Sequence, residues 1–244
     1  MTAVRQTLLL AQWQFRRHSV FMPLLVVVQV AIAVATVVGY GLLVGDPTPE
    51  VALFLATGAP TITLITVGLV MAPQLLAQAK TEGSLDWMRT LPVARSSFLV
   101  SDLLVWTVVA LPGMVLGIVA GVLRFGVDLS VRPWIVGAAV LISLTSAAVG
   151  YAMASLLPPV VAQLMTQMII FLVLLFSPVS YPASRLPEWL QTAHQYLPIE
   201  PMAQVMRAGL AGDAFTVPGR SLVVLALWCA AAVAGALAAL RRRA

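Results

Sequence analysis

Lys80-Thr81-Glu82-Gly83-Ser84-Leu85-Asp86-Trp87-Met88-Arg89-Thr90-Leu91-Pro92-Val93-Ala94-Arg95 is a polar island between two long apolar runs. It holds the chain's only lysine and alternates charged side chains with leucine, tryptophan and methionine. That pattern predicts a short amphipathic helix, gripped by something outside the bilayer.

Around the island the chain reads as membrane. Apolar residues make up 61% and charged residues 9% of the 244, with a mean hydropathy of +0.99, whereas soluble domains carry roughly 25% charge. Apolar segments of about 20 residues, the length that crosses a hydrocarbon core ~30 Å thick, account for most of the chain. No room remains for a soluble catalytic domain. The net charge of +5 comes from arginines at the ends of apolar runs, where they orient the chain and meet anionic headgroups. Membrane lipid, and no nucleic acid, is the expected counter-ion. Cys229 is a single cysteine inside an apolar run, so no intrachain disulfide is expected.

Upstream of the island, residues 52 to 79 form a span containing Pro60, Thr63, Thr66 and Pro73. Prolines bend a span and free carbonyls that neighbouring helices resatisfy. Asp46, Pro47, Pro49 and Glu50 make the turn before it, and residues 21 to 44 the first span. Ala31-Ile32-Ala33 resembles a cleavage site, but the preceding arm is long and the apolar run continues to Val44, so the span is read as uncleaved. Gly41 and Gly45 have the spacing of a close helix crossing. At the N-terminus (1–19), Val4, Leu8, Ala11 and Phe15 recur at helical spacing against Arg5, Gln12, Arg16 and Arg17, predicting an amphipathic helix in the membrane interface.

Downstream, residues 98 to 123 form a third span, with Asp102 near its start and Gly113, Gly117 and Gly121 in register for packing. Residues 134 to 157 form the fourth. Pro158-Pro159 turns the chain into a fifth span, about 160 to 177. Residues 178–217 then carry two short amphipathic helices, started by Pro187-Glu188 and Glu200-Pro201 and too short to span. Residues 221 to 240 form the sixth span. Six spans put both termini on one side. That side collects nine basic residues, Arg5, Arg16, Arg17, Lys80, Arg89, Arg95 and Arg241 to Arg243, against five at Arg124, Arg132, Arg185, Arg207 and Arg220. The expected location is therefore the cytoplasmic (inner) membrane, multi-pass, with both termini cytoplasmic.

Enzyme chemistry is largely excluded by residue type. Lys80-Thr81 lacks the glycines of a phosphate-binding loop, Gln74 and Ala79 standing in their places. His18 and His194 fall near opposite faces, so no metal site is expected and each is read as interfacial. No histidine lies in a span to serve an intramembrane serine protease, and Leu210 replaces the first glycine of an aspartyl GxGD motif. Apart from Asp102 the spans hold no ionisable group of the kind that binds a coupling ion, which disfavours gradient-driven transport. A polar route would use neutral groups: Gln163, Thr166 and Gln167 on one face of the fifth span, Thr63 and Thr66 on the second. The alternative is that these residues only bond neighbouring helices, at ~0.6 to 2 kcal/mol each.

Two stretches together resemble the permease subunit of type-2 ATP-binding-cassette exporters. Glu82-Gly83-Ser84-Leu85 with Leu91-Pro92-Val93-Ala94-Arg95 is similar to the family's E-x-G-[TS]-L and later L-P-V-x-R. Phe176-Ser177-Pro178-Val179-Ser180-Tyr181-Pro182, Arg185-Leu186-Pro187-Glu188-Trp189-Leu190 and Pro198-Ile199-Glu200-Pro201 are similar to its proline-rich extracellular segment, where Pro178, Tyr181, Pro182, Pro187 and Trp189 mark the re-entrant helices. Ser101-Asp102 stands where the family often has Gly-Lys.

The resemblance implies an all-α membrane protein, one permease domain over 1–244. It comprises six transmembrane helices, the N-terminal interface helix, a cytoplasmic coupling helix in the loop 80–96, and extracellular re-entrant helices before the last span. It implies two copies of a cytoplasmic ABC ATPase subunit that hold ATP and Mg, none of either being held by this chain. A second permease copy would complete a homodimer, or a different permease a heterodimer. The coupling residues would be Glu82, Gly83, Leu85, Asp86, Trp87, Arg89, Leu91, Pro92 and Arg95. The expected cargo is a lipophilic drug, antibiotic or lipid-like compound. The alternatives are a polysaccharide or glycolipid, or, in another class, an ATPase-independent carrier or membrane anchor.

Overall fold

The computed structural model describes residues 3–20, 22–83 and 93–242, and all regular structure among them is helical. The elements are α1 (Ala3–His18), α2 (Met22–Val44), α3 (Pro49–Thr66), a π-helical turn (Val67–Met71), α4 (Ala72–Thr81), α5 (Arg95–Phe125), α6 (Ile135–Leu156), α7 (Pro159–Phe176), α8 (Glu188–His194), α9 (Ile199–Leu210) and α10 (Gly219–Arg242). From α3 through the π turn to α4 the helix is continuous. Six helices are therefore long and apolar enough to cross a membrane: α2, α3–α4, α5, α6, α7 and α10. Six crossings return the chain to the face on which it began, here called the terminal face.

The bundle is built around α3–α4. Of its most apolar stretch 94% is buried, against 17% for α7 and 22% for α2. Small residues make that burial possible. A Cβ on Gly121 would lie 2.9 Å from Ala56 Cα, one on Gly117 3.2 Å from Pro60 Cα, and one on Gly113 2.5 Å from Thr63 Cγ2. The glycine register of the third span is thus the surface on which α3 rests. Without a hydrophobic drive between helices in lipid, such close approach supplies the packing energy.

The π turn follows from Pro73. Proline has no N–H to give Leu69 and its ring crowds that carbonyl, so the turn before it widens, with the Ala72 N–H reaching Val67 O. Pro112 leaves a similar gap in α5, and Gln29 of α2 occupies it. The Gln29 Nε2 donates to Val109 O at 2.9 Å and its Oε1 accepts from the Gly113 N–H at 3.1 Å. This fully buried amide, given no role in the sequence reading, ties the first span to the third.

One expectation changes, and another lies largely outside the described residues. Gly41 and Gly45 do not act as a pair: Gly41 is buried against Arg124 and Phe125 of α5, whereas Gly45 is the stop of α2, its φ of +72° in the left-handed region and its N–H bonded to Gly41 O at 3.1 Å. The amphipathic helix expected of the island falls mainly on 84–92, outside the described residues, and only the island's two ends are seen. Lys80 and Thr81 finish α4, Gly83 turns the chain away with φ +71°, and Arg95 is already the first residue of α5 after Ala94. Leu85, Asp86, Trp87, Arg89, Leu91 and Pro92 lie outside the described residues.

Candidate functional site

At the terminal face α4 and α7 run side by side and leave a groove of about 690 Å3. Gln74 and Gln78 of α4 face Gln163 and Gln167 of α7 across it. Thr81 lies at one end, and Leu25, Met71, Leu75 and Leu164 form the apolar walls. Both pairs are spaced i, i+4, which stacks each pair on one helical face. Gln74 lies seven residues before the end of α4, so the groove runs about 10 Å into the bundle at 1.5 Å per residue. Gln78 Nε2 donates to Glu82 Oε1 at 2.6 Å, which sets a carboxylate at the mouth.

Lys80 points elsewhere. Its ammonium donates to Ala154 O, and also to Ser155 O at 3.3 Å and Leu157 O at 3.4 Å. These carbonyls end α6, where a cation complements the helix dipole and the unpaired C=O groups. The lysine thus pins the end of the second span to the turn from which α7 starts.

At the opposite face the segment after α7 folds inward. Residues 177–180 are buried, and a Cβ on Gly58 would meet Val179 O at 2.9 Å, so the loop seats directly on α3. Pro178 is in this buried stretch, Tyr181 donates its hydroxyl to Leu175 O at 3.1 Å, and Pro187 supplies the carbonyl that starts α8. Trp189 stands 72% exposed and Tyr196 65%, in the manner of aromatics at a membrane interface. Helix α9 is the reverse: it is sunk among α3, α6 and α10 and, apart from the half-buried Gln204, buried from Glu200 to Leu210.

Arg207, which the sequence places only by side, among the five basic residues opposite the termini, turns out to be buried. It is 6% exposed, stacked 3.9 Å over the Phe54 ring, and donates Nη2 to Val179 O at 2.8 Å. Burial pushes its pKa down to about 10, opposed by the nearby Glu200 charge. Glu200, itself buried, accepts from Gln204 Nε2 at 2.8 Å; desolvation holds its carboxyl above the ordinary range, against the pull of Arg207 and Arg220.

His194 also departs from expectation, being buried rather than interfacial. Its Nε2 lies 3.0 Å from Phe176 O and therefore carries the proton, while Nδ1 is buried without a partner. Burial lowers the pKa below its ordinary 6.5, with the Phe176 bond opposing. The neutral ring stabilises the fold above pH 6.5, and that contribution is lost as pH falls from 6.5 through the lowered value. The thermal midpoint in detergent is expected to drop between pH 7.5 and 5.5, and less so in His194→Gln. Parallel profiles for the two proteins would refute the assignment.

A family model described as ABC-2 family transporter protein matches residues 24–240. The chain belongs to the ABC-2 transporter family. Among curated proteins, none matches it. Membership makes this a multi-pass permease, the membrane subunit of an ABC transporter, and implies pairing with an ATP-binding subunit.

Of the permease's polar span residues, Gln163 and Gln167 open on the groove. Thr166 lies between them in sequence but turns inward, donating to Gln163 O at 2.7 Å. Thr63 and Thr66 are buried, with hydroxyls bonded one turn back to Ala59 O at 3.0 Å and Ile62 O at 2.8 Å; they are not among the groove's lining residues. Gln74 and Gln78 were missed as partners. Their i, i+4 spacing just before the island was visible, but the pairing of α4 with α7 was not. Glu82 and Gly83 stand exposed at the end of α4.

Proposed function

We propose that this permease exports a lipophilic small molecule, such as a drug, antibiotic or lipid-like compound, across the cytoplasmic membrane. The work is done by two copies of a separate ATPase subunit that binds ATP and Mg, acting on a pair of permeases, with a homodimer the simplest arrangement. The terminal face is cytoplasmic, as the basic residues argue. The ATPase docks on the island, through Glu82, Gly83, Leu85, Asp86, Trp87, Arg89, Leu91, Pro92 and Arg95. Cargo passes along the α4–α7 groove by Gln163 and Gln167.

One observation carries this reading beyond family membership. Glu82 and Gly83 emerge directly from the end of the most buried helix of the bundle. A push at that point is delivered along α3–α4 to the groove and, through Lys80, to the start of α7. Co-purification with a candidate ABC ATPase subunit, followed by vesicle transport, tests it. Glu82→Ala combined with Arg89→Ala is expected to lower ATP-driven export at least about tenfold, the equivalent of about 1.4 kcal/mol of coupling, without loss of folded permease. Unchanged export would remove the island from the ATPase interface.

A further inference from the structure

We propose that the groove between α4 and α7 binds an amphiphile whose head is uncharged and hydrogen-bonding, its four glutamines reading that head; this rests on the export reading above. The six spans hold five glutamines, and the chain has no asparagine. Gln29 is satisfied within the bundle by Val109 and Gly113. The other four all line this groove. The side-chain amides of Gln74, Gln163 and Gln167 make no hydrogen bond to the described residues, and that of Gln78 bonds only to Glu82.

Amides facing a helix crossing are ordinarily bonded across it, because an unpaired polar group at membrane depth is costly. Four turned to one open groove present donors and acceptors to a molecule from outside the chain. None of the lining residues is charged. The chain's one lysine, Lys80, donates to the α6 carbonyls, so among the described residues a phosphate or sulfate head meets no cation lining the groove, and it faces the Glu82 carboxylate at the mouth. A charge entering without a counter-charge is opposed by desolvation, whereas hydroxyls or amides pair with glutamine in either direction. Leu75 and Leu164 cover the apolar body of the same molecule.

Photoreactive alkyl probes sharing one tail and bearing a glucoside, a phosphate or a trimethylammonium head test this on the permease alone. The protein is held in phosphatidylcholine nanodiscs without ATP, and labelled peptides covering 71–81 and 159–170 are quantified by mass spectrometry. The glucoside probe is expected to label the groove about tenfold more than the phosphate probe, and Gln163→Leu with Gln167→Leu to erase that difference. If the double variant does not fold, Gln163→Glu serves, with the expected preference shifting to the trimethylammonium head. Equal labelling by all heads, preference for phosphate, or head selectivity untouched by either variant overturns the proposal. So does a Gln167→Cys disulfide between two permease copies that blocks labelling, since a second copy would then fill the groove. Because labelling needs no ATP, head-selective labelling without ATP-driven export defeats the export reading alone, and export with head-indifferent labelling defeats the groove assignment alone.

Discussion

Arg207→Ala is expected to destabilise the permease by about 3 kcal/mol, in the range for removing one member of a buried polar arrangement. The guanidinium lies 3.9 Å over Phe54 and 5.6 Å from the Phe215 ring, and those two rings meet edge to face at 5.3 Å. Alanine removes the stacked cation, opens a void between α3 and α9, and leaves Val179 O without its donor. It also removes the positive charge that opposes the rise of the Glu200 pKa, so that carboxyl moves further up. Arg207→Lys recovers only part of the loss, because an ammonium has no planar face to stack and no fork to reach the carbonyl. Chemical unfolding in mixed micelles measures the difference. A loss under about 0.5 kcal/mol, the range of surface substitutions, would mean that α9 is not held by this residue.

Why Arg207 escaped the sequence reading, while most of the fold did not, is a matter of range. Apolar run length is a local quantity, and it located all six spans, including the turn at Pro158-Pro159 that separates α6 from α7. The glycines at 113, 117 and 121 were legible for the same reason, their common face being set by helix periodicity alone. Arg207 sits in a short segment where the sequence shows which side of the membrane a charge is on but not whether it is buried. Only the folding of 177–180 onto Gly58, and the arrival of Phe54 and Phe215 from distant positions, makes an aromatic slot for it. The groove divides along the same line: Gln163 and Gln167 were visible as a face, but Gln74 and Gln78 join them only through the packing of α4 on α7. At the island the signal was compositional, and composition does not show that Gly83 breaks it from the helix to which Lys80 belongs.

The second large effect is expected where α6 crosses the π turn. A Cβ on Gly68 would fall 2.5 Å from the Ala147 nitrogen and 2.7 Å from the Ser146 carbonyl carbon, and Gly150 presses on Gly68 O with Pro73 Cδ 3.0 Å from its own Cβ position. These neighbours are backbone and a proline ring, which cannot rotate aside as a flexible side chain does. Gly68→Ala must therefore separate two helix axes, at about 2 kcal/mol by comparison with overpacked cores, and Gly68→Leu is expected not to yield folded permease. Gly39→Ala is the matched control: nothing lies within 4 Å of its Cβ position, and alanine is the better helix former, so its effect stays within about 0.5 kcal/mol of neutral or is slightly stabilising. Separating these axes also shifts α4, which follows the π turn directly and carries Gln74 and Gln78. Head-selective labelling should accordingly fall in Gly68→Ala and persist in Gly39→Ala. Equal stability of the two alanine variants would show that the crossing has slack, and that the π turn rather than the glycine pair sets the distance between α3–α4 and α6.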